Sequence, residues 1–135
     1  MNSFHEIHFP PGLWQVMVEH VALMFPEEGC GLVGGVGNQV TTVIPVTNQL
    51  HSPTKYLMNP EEQIEALYNF EINQLDLLAI FHSHPDGVET PSDTDIKEFS
   101  FPECALIILT PEEKWRARGF LIGDRWVGEI ILIVA

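Results

Sequence analysis

The sequence predicts a mixed α/β (α+β) fold, helices packed on one mixed β-sheet. Helical and strand-like hydrophobic periods alternate through the first two-thirds of the chain, and its end is almost wholly strand-like. At 135 residues the chain suits one domain, 1–135, with a single hydrophobic core.

The elements follow in order. His5-Glu6-Ile7-His8-Phe9 reads as a short first strand, with His5 and His8 on the surface. Pro10-Pro11 then opens a helix whose core stripe is Leu13, Val16, Met17, His20, Val21 and Met24. Pro26 ends it, which leaves Glu28 just beyond the helix. Gly31 to Val36 and Val40 to Val46 form a hairpin about Gly37-Asn38. These glycines are not a phosphate loop, because the Lys and Ser/Thr of that motif are missing. Asn59-Pro60-Glu61-Glu62 starts a second helix: an Asn cap, Pro at the first helical position, and Glu three after the cap. Ile64, Leu67, Tyr68 and Ile72 supply its apolar face. The run Leu75 to Phe81 is a buried strand, and Pro85 to Pro91 is a loop turning at Asp86-Gly87. A short helix from Ser92 leads to three strands, Cys104 to Leu109, Trp115 to Ile122 and Trp126 to Val134. The last two are joined at Gly123-Asp124, and the apolar end Ile130 to Val134 offers an edge for pairing across a homodimer.

Composition excludes several functions. Nineteen acidic against six basic residues give a net charge of −13, which makes nucleic acid a poor partner, since phosphate binding needs clustered Lys and Arg. A hydrophobic content of 45% and three tryptophans argue for a packed fold despite that charge. No window approaches the roughly 20 apolar residues of a membrane helix, and Met1 to Glu6 has neither a cationic segment nor a signal-type core. The expected location is the cytoplasm. Two cysteines make no disulfide framework. Cys104 reads as core. Cys30 reads as packing, with a nucleophilic role as the lesser alternative.

The chemistry concentrates at His82-Ser83-His84-Pro85, with Ser92 and Asp95 downstream. Residues two apart on a strand share a face, so His82 and His84 can aim both imidazoles at one point. Asp95, eleven positions after His84, supplies a carboxylate. Two imidazoles and one carboxylate leave the fourth position of a tetrahedral zinc open, the pattern of catalytic rather than structural sites. Ser92-x-x-Asp95 also reads as a capping box opening the short helix, a role compatible with ligation.

The pattern His82-x-His84-Pro85-x6-Ser92-x2-Asp95 resembles the signature of the JAMM (MPN-plus) metallopeptidases. That family carries a glutamate before a small-residue apolar strand. Glu28, ahead of Gly31-Leu32-Val33, matches by position, with Glu27 one residue off. Tyr56 to Pro60, Trp115 to Phe120 and Trp126 to Ile130 extend the likeness over nearly the whole chain, and the short stand-alone prokaryotic members are most similar.

The resemblance implies a three-layer sandwich, a mixed central β-sheet flanked by helices, akin to cytidine-deaminase-like folds. It implies one Zn²⁺ per chain on His82, His84 and Asp95, Glu28 as general base, and Ser92 as oxyanion donor. It also implies hydrolysis of an amide or isopeptide bond after the C-terminal Gly-Gly tail of a ubiquitin-like sulfur-carrier protein. Asp86 and Asp93 are rival carboxylates off the motif spacing. Arg116 and Arg118 share a strand face, either solvated or facing a substrate carboxylate, and His51 reads as an exposed loop residue. Two other readings stand beside this one: a non-catalytic MPN-type binding module, and a zinc peptidase acting on small peptides. A zinc nucleoside deaminase needs His-x-Glu and Pro-Cys-x-x-Cys, and neither occurs.

Overall fold

The structure, a computed structural model, describes residues 5–101 and 103–135. Residues 1–4, where the sequence shows no signal-type core, lie outside it. Among the described residues the elements run β1 Glu6–Phe9, α1 Pro11–Met24, β2 Cys30–Val36, β3 Gln39–Val46, α2 Pro60–Ile72, β4 Asp76–Ser83, α3 Asp93–Glu98, β5 Ala105–Thr110, β6 Arg116–Ile122 and β7 Val127–Val134. Among the described residues no helix is long and apolar enough to cross a membrane.

The strands form one mixed sheet in the order β1-β3-β2-β4-β5-β6-β7. β4 lies near its middle, antiparallel to β2 and parallel to β5. Its side chains alternate between two cores. Ala79 and Phe81 face a core that includes Met17 and Val21 of α1. Ile80 faces a second core with Ala66 and Phe70 of α2, and Leu106 and Ile108 of β5 continue that side toward Phe99, just after α3. The expected helix–sheet–helix layering results. The period of two places His82 on the α2 and α3 side.

The sheet also closes on itself. β1 runs parallel to β7 from the pair Glu6↔Ile131 to Phe9↔Val134 and touches β3 at His8↔Gln39. β7 is therefore paired with β6 over Val127 to Ile130 and with β1 over Ile131 to Val134. The segment Ile130 to Val134 is not the free edge that homodimer pairing would use.

α1 presents its expected stripe apart from Val16, and α2 sits at a different phase from the one its sequence suggests. On α1, Val16 is 37% exposed, while Trp14 and Val18 pack on the core, Trp14 edge-on to Phe9. On α2 Leu67 packs on the core as expected, but the rest of the expected face is outside. Ile64, Tyr68 and Ile72 are 67%, 63% and 60% exposed, and Ala66 and Phe70 are buried. The cause is a glycine. A Cβ on Gly34 would come within 2.8 Å of the Phe70 ring, so β2 leaves a slot that one aromatic fills. The start of α2 fits this phase. The Asn59 side chain caps the amide of Glu62, whose carboxylate accepts from the Thr47 amide at 2.8 Å. The amide of Asn59 donates to the carbonyl of Thr47, so the helix is tied to the end of β3.

Candidate active site

β4 delivers the two histidines at its end. His82 is fully buried, and His84, just past the strand, is held by its amide donating to the carbonyl of Leu109. Asp95 arrives from α3, and the capping box expected at its start is formed. Ser92 Oγ accepts from the Asp95 amide at 3.0 Å, and Asp95 Oδ2 accepts from the Ser92 amide at 2.9 Å. The cap aims the carboxylate back at the histidines, so one residue serves helix and cluster together.

His82 Nε2 lies 3.0 Å from His84 Nε2 and 3.2 Å from Asp95 Oδ1, and His84 Nε2 lies 3.0 Å from Asp95 Oδ2. Ligands ~2.0–2.1 Å from a tetrahedral zinc stand about 3.3 Å apart, so the triad is near the right size. The donor set, two imidazoles and a carboxylate, fits the same ion. Burial alone would raise Asp95, but the hydrogen bonds from His82 and His84 outweigh it and hold this carboxyl well below the usual range. Burial pushes His82 down, toward the neutral form a ligand needs.

Glu28 stands on the same cleft as His84, Ser92 and Asp95, and is only 4% exposed. Burial, opposed by His84 and reinforced by Asp95, pushes its carboxyl up to about 8. Its backbone is pinned. The Glu28 amide donates to the carbonyl of Ser52, the Gly29 amide donates to Ser83 Oγ at 2.8 Å, and the Ser83 amide returns a bond to the carbonyl of Gly29. Glu27 points elsewhere, its carboxylate 3.2 Å from Nδ1 of the exposed His51.

The remaining sequence candidates are placed as follows. Asp86 lines the cleft, but its carboxylate accepts from the Val88 amide, and Asp93 is exposed at the start of α3. Cys30 is buried, donates to the carbonyl of Val46, and has its thiol pushed up to about 12 by burial, which suits packing rather than attack. Arg118 is paired bidentately with Glu129 at 2.8 and 2.9 Å, and Glu89 bridges it to Arg116. Both arginines already have carboxylates within the chain.

Two residues of the site were missed by sequence reasoning. Asn48, 3% exposed, donates to the carbonyls of Glu28 and Lys55 and accepts from the amides of Leu50 and Leu57. Tyr56 stacks on His82 with centroids 4.5 Å apart and planes at 24°. The only signal for Asn48 was a long non-periodic segment that has to satisfy its own backbone, a task Asn often performs. Tyr56 gave none. The cleft over these residues has a volume of about 490 Å³ and is bounded also by Leu50, Lys55 and Leu57. A smaller one of about 230 Å³ adjoins it through Tyr56, Leu57, Asp95 and Glu98 and is floored by Phe99 and Phe101.

A mixed sheet between helices, with a buried His-x-His pair closed by a helix-capping aspartate, defines a JAB/MPN-type domain. Residues 10–120 match the family described as prokaryotic homologs of the JAB domain, and the chain belongs to that family. It is 43% identical over 93 residues to a probable TtuB-protein conjugate cleaving protease of Thermus thermophilus, covering 68% of this chain and 62% of that protein. It is 31% identical to a desampylase of Pyrococcus furiosus (79% of this chain, 76% of that one) and 30% identical to the CysO-cysteine peptidase of Mycobacterium tuberculosis (87% and 83%). Among solved structures, protein DSY2949 of Desulfitobacterium hafniense superposes with a TM-score of 0.84 at 30% identity, covering 96% of this chain and 92% of that one. AF2198, a JAB1/MPN domain protein of Archaeoglobus fulgidus, shares the fold with a TM-score of 0.62 at 17% identity, over 98% and 100%.

Proposed function

We propose that this chain is, as a single domain, a cytoplasmic zinc-dependent peptidase that hydrolyses the amide or isopeptide bond after the Gly-Gly tail of a ubiquitin-like sulfur-carrier protein. The observation that carries the reading is the buried His82–His84–Asp95 triad sharing one cleft with the buried carboxyl of Glu28. The substrate class rests on the relatives, whose names include conjugate cleaving protease and CysO-cysteine peptidase.

His82, His84 and Asp95 hold the ion. Zinc, when bound, polarises the scissile carbonyl and makes water a stronger nucleophile. Glu28 takes the proton from the attacking water and returns it to the leaving amine, a role suited to a carboxylate whose basicity burial raises. Ser92 faces the developing oxyanion. Its oxygen already accepts from the Asp95 amide, so its own O–H is free to donate. His84 Nδ1, 2.8 Å from the carbonyl of Val88, carries its proton there and keeps Nε2 for the ion. The cleft admits an extended tail, and glycines are selected where the chain passes close beside the ligands.

The test is intact-mass analysis of a ubiquitin-like sulfur carrier bearing a short extension after Gly-Gly, incubated with zinc-loaded protein. Cleavage after Gly-Gly by wild type and not by Glu28→Gln is the expected result. Zinc uptake without cleavage of any carrier or peptide would instead favour a binding module.

A further inference from the structure

We infer that Tyr56 is a positioning residue of the metal centre: its ring, stacked on His82, fixes the plane of an imidazole whose second nitrogen, Nδ1, no hydrogen bond orients. The inference rests on the proposal that His82 is a metal ligand. An imidazole that ligates through one nitrogen ordinarily donates its other N–H to a carboxylate, carbonyl or water, and that second bond sets the ring's orientation. His84 follows the rule, with Nδ1 at 2.8 Å from the carbonyl of Val88 and Nε2 turned to the cluster. His82 does not. Its Nε2 faces His84 and Asp95, while its Nδ1 is buried and has no hydrogen-bond partner among the described residues.

Rotation about the last side-chain torsion of histidine is soft, so the strand backbone alone does not fix the ring. Tyr56 supplies the missing constraint. Its ring lies at 24° to His82 with centroids 4.5 Å apart, at the close end of the aromatic stacking range. A slab that close blocks the imidazole from turning edge-on. Tyr56 can act as a slab because its own backbone is clamped on both sides by one buried amide. Asn48 Nδ2 donates to the carbonyl of Lys55, and Asn48 Oδ1 accepts from the amide of Leu57, at 3.0 and 3.1 Å. The same Nδ2 donates to the carbonyl of Glu28 at 3.0 Å. One side chain thus ties the segment bearing the stacking ring to the segment bearing the base.

The test measures zinc affinity of the whole chain, by competition with a chromophoric chelator at fixed pH, for wild type, Tyr56→Phe and Tyr56→Leu. The visible spectra of the cobalt-loaded proteins are recorded alongside. Tyr56→Phe keeps the ring face and should bind zinc within about twofold of wild type. Tyr56→Leu should weaken binding about 10–100-fold, the usual effect of losing an orienting partner, and alter the cobalt bands. Should the leucine variant fail to fold, Tyr56→Met takes its place with the same expectation. Wild-type affinity and spectrum in Leu or Met would overturn the role of the stack. An equal loss in Phe and Leu would overturn it too, by assigning the effect to the hydroxyl. Absence of zinc uptake by wild type would instead sink the metal-site proposal beneath it.

Discussion

Glu28 is a buried acid whose burial outweighs the opposing pull of His84, and two measurable effects follow. Glu28→Gln keeps shape and loses basicity, so zinc uptake should persist while turnover falls about 10²–10⁴-fold in a carrier-cleavage assay. The second effect concerns stability. Burial raises this carboxyl to about 8, so the folded state holds its proton more tightly than the unfolded chain does. The stabilisation is complete below the ordinary carboxylate range and is lost as the pH climbs to about 8. In metal-stripped protein, Glu28→Gln should therefore melt higher than wild type, by a few degrees and by a margin that widens between about pH 5 and pH 8. A constant margin in a pH series of thermal melts would contradict the assignment. Ser92→Ala should lower kcat about 10²–10³-fold if its hydroxyl faces the oxyanion, and cost about 1 kcal/mol as a lost cap. Equal losses in stability and no loss in kcat would leave Ser92 as a cap alone.

At the level of elements, α2, the helix whose face the sequence misphased, is the most instructive. Periodicity located α2 and its Asn59 cap, yet it assigned the core face to Ile64, Leu67, Tyr68 and Ile72, of which only Leu67 packs on the core, beside the buried Ala66 and Phe70. Hydrophobicity alone cannot weigh three aliphatic or aromatic side chains against one slot, because the slot is made by Gly34 on another element. Phe70→Ala should cost about 3–5 kcal/mol in urea denaturation, and Tyr68→Ala should stay within about 0.5 kcal/mol. The reverse order would restore the sequence-based face. The strands were easier to read. Short apolar runs broken by Gly37 and Gly123 gave both hairpins nearly to the residue. What the sequence could not show was β1 reaching β7 and closing the sheet, since a four-residue parallel pairing across the length of the chain leaves no local pattern.

For the molecule as a whole, the site was legible where chemistry fixes spacing and invisible where it does not. His82, His84, Ser92 and Asp95 stood out because a metal site and a helix cap would each demand residue types at set intervals, and the structure brings all four together. Glu28 was found by position alone, and its burial on the cleft distinguishes it from Glu27, which turns to His51. Asn48 and Tyr56 act through three-dimensional neighbours and have no interval to betray them. Metal binding at this site would also couple it to global stability. Zinc at a hundredfold excess over its Kd should raise the unfolding free energy by about 2.7 kcal/mol. That increment should survive Asp93→Ala and vanish in Asp95→Ala, read from thermal melts with and without chelator.

The most direct measurement is an anomalous difference map at the zinc edge from crystals of the zinc-loaded protein. One peak is expected, with His82 Nε2, His84 Nε2 and an Asp95 oxygen each about 2.0–2.2 Å away and the Glu28 carboxylate beside the open position. No peak there, or a peak ligated by Asp86, Asp93 or Cys30, would contradict the site on which the proposed chemistry rests.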